Sequence, residues 1–195
     1  MLTEVILTNE NVDIQSMAFM YCSSLSKIDF TKISSIGESA FIYTGFTSIE
    51  FPSLVIGQSA FAYTPLNKVT FSADVTINGN AFEGTKIQSV SIAITSSNPT
   101  LSFANCFMPQ DATITSEGDF TIPSGCFSGC HALKNVNCEN ATSVSDNAFY
   151  DCINLTTING KKITSYGKSA LENCENLVIT INSFRHHLLI AESLC

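Results

Sequence analysis

The stretch Ala148-Phe149-Tyr150-Asp151-Cys152-Ile153-Asn154-Leu155-Thr156-Thr157-Ile158 decides the reading of this chain, because variants of it return along the whole sequence. A small residue followed by an aromatic occurs as Ala18-Phe19, Ala40-Phe41, Ala60-Phe61, Ala81-Phe82, Ser102-Phe103, Cys126-Phe127 and Ala148-Phe149, and with leucine as Ala170-Leu171. Successive pairs lie 22, 20, 21, 21, 24, 22 and 22 residues apart. A fixed period in this range marks a solenoid, in which each unit has an apolar face that only its neighbours can cover.

The unit has an internal order. Three residues after the aromatic stands either Cys (Cys22, Cys106, Cys130, Cys152, Cys174) or Thr (Thr44, Thr64, Thr85). A leucine follows three positions later in four of the Cys units (Leu25, Leu133, Leu155, Leu177), whereas the Thr units place Phe46, Leu66 and Ile87 two positions later. The substitution travels with a one-residue deletion, so the position faces a fixed interior where a small, weakly polar side chain bonds to nearby backbone. Five residues before the aromatic comes another apolar residue: Ile14, Ile36, Ile56, Ile77, Ile122, Val144 or Tyr166, with Asn98 as the break. The segments Leu25-x-x-Ile28-x-Phe30 and Leu133-x-x-Val136-x-Cys138 end with period-two alternation, which predicts a half-buried strand. Along the interior the phenylalanines are expected to stack at about the spacing of neighbouring strands, ~5 Å.

This Leu-x-x-Leu-x-Leu-like strand resembles a leucine-rich repeat. The closer resemblance is to the BspA-like leucine-rich repeats (the Treponema pallidum type), built on Ile-Gly-x-x-Ala-Phe-x-x-Cys-x-x-Leu-x-x-Ile. Ile36-Gly37-Glu38-Ser39-Ala40-Phe41 and Ile56-Gly57-Gln58-Ser59-Ala60-Phe61 carry its first half. The resemblance covers essentially the whole chain. It implies a leucine-rich-repeat solenoid, mainly β with irregular or 3-10 connections, of about eight repeats of 20–24 residues. Because the family includes surface proteins of oral bacteria and parasitic protists, it also implies adhesion to host proteins or cells.

Residues 1–195 are read as a single solenoid domain, with an irregular unit about 93–122 and a C-terminal cap about 182–195. In that cap Phe184, Leu188, Leu189 and Cys195 fall near helical spacing, which predicts a short amphipathic helix with Arg185, His186 and His187 on its solvated side. The irregular unit holds Pro99, Pro109, Gly118 and Pro123 and is stretched to 24 residues. Its strand around Ala112-Thr113-Ile114-Thr115 reads as weak, and the stretch as a surface insertion on the convex side or a recognition loop. Asp111, Glu117 and Asp119 are spaced like no known cation loop. At the start, Leu2-x-x-Val5-x-Leu7 already fits the strand template. The chain is thus a piece of a longer array, or a partner or second copy covers that edge, which makes self-association there an expectation.

Charged residues are 13% and hydrophobic residues 45%, enough to fill a continuous core. The net charge of −8 argues against nucleic acid as a partner, and no apolar run nears the ~20 residues of a membrane span. The first residues have no basic region and too short an apolar run for a secretory signal. A cytoplasmic place is expected if the chain is full length, and the cell surface if it belongs to a longer BspA-like protein.

Five of the eight cysteines share one repeat position, where their side chains run parallel, a poor geometry for bridging. Free thiols are the expectation, with Cys126 and Cys138 in the core and Cys195 the most reactive. Cys126-x-x-x-Cys130-His131 does not read as zinc, since two of its members are spent on repeat positions facing different ways. The sequons Asn140-Ala141-Thr142 and Asn154-Leu155-Thr156 are uninformative in so Ser- and Thr-rich a chain. No nucleophile elbow, phosphate loop or His-Glu-x-x-His is present, so a non-enzyme without metal or cofactor is expected.

Function then rests on surfaces. The outward strand positions form two rows: Lys27, Ser48, Lys68, Ser89, Asn135 and Thr157, and beside it Asp29, Glu50, Thr70, Ser91, Asn137 and Asn159. These are the candidate protein-binding face. They lack the Trp, Tyr and Arg of strong hot spots, so a broad contact of modest affinity is expected. The resemblance implies extracellular-matrix or host surface proteins as partners; the alternative is an intracellular scaffold.

Overall fold

The structure is a computed structural model and describes residues 1–72, 75–97, 99–107, 109–179 and 189–190. In chain order its strands are β1 (Val12–Ile14), β2 (Ile33–Ile36), β3 (Ser48–Phe51), β4 (Val55–Ile56), β5 (Lys68–Phe71), β6 (Thr76–Ile77), β7 (Ser89–Ile94), β8 (Asp111–Ser116), β9 (Phe120–Ile122), β10 (Asn135–Asn137), β11 (Ala141–Val144), β12 (Thr157–Asn159), β13 (Ser165–Tyr166) and β14 (Leu189–Ile190). A 3-10 helix, Phe30–Lys32, precedes β2. The expected leucine-rich-repeat solenoid, mainly β, is what forms.

Every strand pairing is parallel, each unit lying on the one before. One side of the solenoid carries the period-two strands, in the orders β3-β5 and β7-β8-β10-β12. A second side carries the short strands that end at the apolar residue before the Ala-Phe pair, in the orders β1-β2-β4-β6 and β9-β11-β13-β14. Alternation decides which way each residue points: in β3, Ile49 and Phe51 are buried while Ser48 and Glu50 are exposed. The Ala-Phe turns form the remaining side and also bond from unit to unit. The N–H groups of Phe19, Phe41, Phe61 and Phe127 donate to the carbonyls of Ala40, Ala60, Ala81 and Ala148, each at 2.8 Å.

Phenylalanines fill the interior. The rings of Phe19, Phe41, Phe61, Phe82, Phe103, Phe127 and Phe149 stack in sequence with centroids 5.2–5.9 Å apart. A second column, Phe30, Phe51 and Phe71, meets the first at steep angles, as in the 70° crossing of Phe51 on Phe61. The alanines at positions 40, 60, 81 and 148, each before a ring, have no exposed surface, because the adjacent turn passes directly over them.

Two expectations are corrected. The strand after Phe103 is not weak: β8 pairs with β7 over six residues, Asp111 to Ser116, equalling β7 as the longest strand described. Ten residues separate the inward Ala112 from the inward Ile122, against eight from Val136 to Val144, so the extra residues extend the corner between β8 and β9. Its tip is tied down, with Asn140 Nδ2 donating to the Ser116 carbonyl and Lys162 Nζ pairing with Asp119 Oδ1 at 2.7 Å. The C-terminal helix is also not found where the backbone is described: Leu189–Ile190 form β14, parallel to β13. The parallel side-by-side pairing that recurs through the chain continues there instead. The rest of that cap, with Phe184, Arg185, His186, His187 and Cys195, lies outside the described residues.

Candidate functional site

All twelve residues of the two expected rows are exposed. Strand register sets them side by side: Ser48 opposite Lys68, Glu50 opposite Thr70, Asn135 opposite Thr157, and Asn137 opposite Asn159. Two residues missed in the sequence complete the rows. Asp111 stands between Ser89 and Asn135, and Thr113 between Ser91 and Asn137. Counting eight positions from the aromatic, as from Phe127 to Asn135 and from Phe149 to Thr157, reaches Asp111 from Phe103. That count was hidden by the proline and glycine around β8.

The rows differ along their length. Towards the C-terminus they form hydrogen-bonded ladders: Asn135 Nδ2 donates to Asp111 Oδ1 at 2.8 Å, Thr157 Oγ1 to Asn135 Oδ1 at 2.8 Å, and Asn159 Nδ2 to Asn137 Oδ1 at 3.2 Å. Such bonds fix side-chain directions, which leaves a rigid array of amide and hydroxyl groups. Towards the N-terminus the rows depart from a sheet. Lys27 meets Glu4 in an isolated bridge, and Asp29 caps the 3-10 helix by accepting from the N–H and hydroxyl of Thr31. Those bonds hold the Asp29 carboxyl below the usual carboxylate range. Where the chain leaves the sheet, Asp29, Ser48 and Glu50 rim a shallow cavity of about 230 Å³ that reaches Phe30 and Phe46. It is smaller than the ~300–1,000 Å³ typical of small-molecule sites. The face is built for broad contact.

The scaffold beneath depends on the alternating Cys and Thr. Both bond to the carbonyl of a repeat phenylalanine, but in different directions. Thr44, Thr64 and Thr85 donate within their own turn, to Phe41, Phe61 and Phe82 at 2.7–2.8 Å. Cys106, Cys130, Cys152 and Cys174 reach back one turn, to Phe82, Phe103, Phe127 and Phe149 at 3.0–3.1 Å. Burial pushes the thiols up, to about 12 at Cys106 and Cys138 and about 11 at Cys174. Neutral thiols are what the interior accommodates.

A profile of the BspA type leucine rich repeat region matches residues 1–110 and 97–186, in six copies. This chain belongs to the BspA-type leucine-rich repeat family. A leucine-rich repeat protein of T. pallidum has the same fold, with a TM-score of 0.56 and 20% identity over 90% of this chain and 83% of that one. A leucine-rich cell surface protein from Faecalibacterium prausnitzii aligns with a TM-score of 0.42 and 19% identity over 91% of this chain and 72% of that one. No curated protein sequence matches it.

The BspA-type unit leaves two positions open between Phe and Cys, and the second of them holds what the sequence reading did not single out. Tyr21, Tyr43 and Tyr63 stack there on the surface, at 5.2 and 5.1 Å. This position has left-handed backbone in every described unit, with φ between 56° and 71°, and elsewhere it is Gly84, Asn105, Gly129, Asp151 or Asn173. Those residues enter that region cheaply, whereas a bulky side chain there costs ~1–2 kcal/mol. The three positions together cost ~3–6 kcal/mol and the two ring contacts return only ~1–3 kcal/mol, so stability does not account for the tyrosines.

Proposed function

We propose that this chain is a non-enzymatic protein-recognition module whose strand face contacts proteins of a host surface or extracellular matrix. The observation that carries the reading is the register of the outward residues. Parallel pairing repeats the same two outward positions from strand to strand within each ladder, from Ser48 and Glu50 in β3 to Lys68 and Thr70 in β5, and from Ser89 and Ser91 in β7 to Thr157 and Asn159 in β12. Parallel strands place them ~4.8 Å apart, so partner groups can be matched over many shallow contacts. Stacked rings and buried side chains keep the support rigid, which lowers the entropy lost on binding. Membership of a repeat family associated with protein interaction supports the reading. The acidic net charge of −8 favours a partner surface of opposite sign.

Binding to immobilised matrix proteins, each presented singly, tests it by surface plasmon resonance. The double variant Glu50→Lys and Asn137→Lys alters the face without touching the core. Saturable binding of the parent chain, weakened about tenfold in the variant as for lost hot-spot contacts, is the expected outcome. Binding that ignores both substitutions would remove the strand face from the proposal.

A further inference from the structure

We propose that the tyrosine stack is a second binding surface and that its occupant is an extended, proline-rich polypeptide segment carrying an arginine. Tyr21, Tyr43 and Tyr63 are 65%, 42% and 42% exposed and include three of the five tyrosines of the chain. Bulky residues kept in a costly backbone conformation at the surface point to use rather than stability.

The geometry narrows the partner. At 5.1–5.2 Å the stacked rings cover one another's faces, and the far face of Tyr63 lies against Gly84, where an added Cβ would sit 2.6 Å from the Tyr63 Cδ1 atom. Flat ligands that need open ring faces, such as sugars or bases, find none between the stacked rings. What the stack offers along its length is ring edges and hydroxyls. The Tyr63 hydroxyl donates to Glu83, while those of Tyr21 and Tyr43 have no hydrogen-bond partner among the described residues. Two positions further along each turn stand Ser23, Gly45 and Pro65.

A polyproline II strand suits this surface. Its carbonyls face outward and accept from hydroxyls, its rings pack on aromatic side chains, and it is ordered before binding. Its turn of three residues rises ~9 Å, close to the two ring steps of 5.2 and 5.1 Å, so one turn spans the ridge from Tyr21 to Tyr63 with Tyr43 beneath its middle. Charge sets the other feature. Residues 15–24, 37–46, 57–66 and 78–85, which form these turns, contain Glu38 and Glu83 and no Lys or Arg. An arginine beside the prolines complements that strip.

The inference rests on the protein-recognition reading only in taking a polypeptide as the ligand, and it uses a different face. The test is fluorescence anisotropy with a labelled oligoproline bearing one arginine, against a Gly-Ser peptide of equal length and charge. The variants are Tyr43→Ala, Tyr43→Asn and the strand-face pair Glu50→Lys with Asn137→Lys, each checked for folding by circular dichroism. Expected are binding of the proline peptide in preference to the control, a loss of about tenfold in both Tyr43 variants, and no loss in the strand-face variant. Tyr43→Asn suits the left-handed backbone and carries the result if Tyr43→Ala does not fold. Equal binding of the two peptides, no saturation by ~1 mM, or unchanged affinity in Tyr43→Asn overturns the proposal. Matrix proteins failing to bind while the proline peptide binds would overturn the adhesion reading alone.

Discussion

Tyr43 and Asn105 occupy the same place in their turns with nearly the same backbone, φ 56° and 57°, yet only asparagine is at ease there. Tyr43→Asn is therefore expected to change the unfolding free energy by less than about 1 kcal/mol, since ~1–2 kcal/mol of relieved strain offsets the two lost ring contacts. Urea denaturation measures this, and a loss above about 2 kcal/mol would make the stack a structural device. Gly57 gives the opposite case. A Cβ there would lie 2.7 Å from Gly37 C and Ile36 O and 2.8 Å from Glu38 N, all backbone atoms of the preceding turn. Gly57→Ala should lower stability by ~1–3 kcal/mol in the same assay, the range for overpacking a site that cannot yield. At this scale the Cys and Thr alternation was legible, because a substitution coupled to a deletion reports a shared interior. The direction of each hydrogen bond was not, because it depends on how one turn sits over the next. The tyrosines escaped notice because backbone φ leaves no mark in a period count.

Among the elements, β8 shows where pattern reading fails and why. Pro109, Gly118 and Pro123 flank the strand and read as breakers, but none lies within it, and the run Asp111–Ser116 retains its alternation and β-branched content. Ile114 is buried and pairs opposite Ile92. Ile114→Ala should cost ~2–5 kcal/mol by leaving a cavity, a value typical of core rather than loop, and a thermal melt of the variant reads it directly. A loss under about 1 kcal/mol would restore the picture of a peripheral insertion. Where the expected C-terminal helix is described, at Leu189–Ile190, the backbone pairs instead as a strand parallel to β13. The short strands at Ile36, Ile56 and Ile77 were seen only as an apolar position. Strands of two to four residues show little periodicity of their own, and the parallel neighbours supply their order.

Across the molecule the buried thiols act together. Their pKa values are raised in the folded chain, to about 12 at Cys106 and Cys138, while an unfolded thiol ionises near ~8.5. Below ~8.5 both states keep their protons and the thiols contribute fully. Between there and about 12 the unfolded chain releases protons that the folded chain retains, so stability falls as pH rises. Denaturant midpoints measured from pH 7 to pH 10.5 should hold steady and then decline, and replacing Cys106 with Ala should flatten part of that decline. The solenoid also has a seam. On the strand side β3 pairs with β5 and β7 begins a separate ladder, and on the second side β6 ends one sheet while β9 begins another. Between these levels, among the described residues, bonds run from Lys86 N to Leu66 O, Ile77 N to Thr100 O, Thr121 N to Ser97 O, Gly84 N to Asn105 O, Asn80 N to Ser102 Oγ and Cys106 Sγ to Phe82 O, and ring contacts from Phe71 and Phe82 to Phe103. Units of a solenoid stabilise one another through nearest neighbours, so a join where the strand ladders break is expected to separate two cooperative blocks. Phe61→Ala removes a ring in contact with Phe41, Phe51 and Phe82 and should cost ~3–5 kcal/mol on its own side of the seam. Hydrogen exchange read by mass spectrometry is expected to show protection lost over β2 to β6 and retained over β10 to β12. Equal loss on both sides would mean that the continuous phenylalanine column transmits cooperativity without sheet hydrogen bonds, and that the chain unfolds as one block.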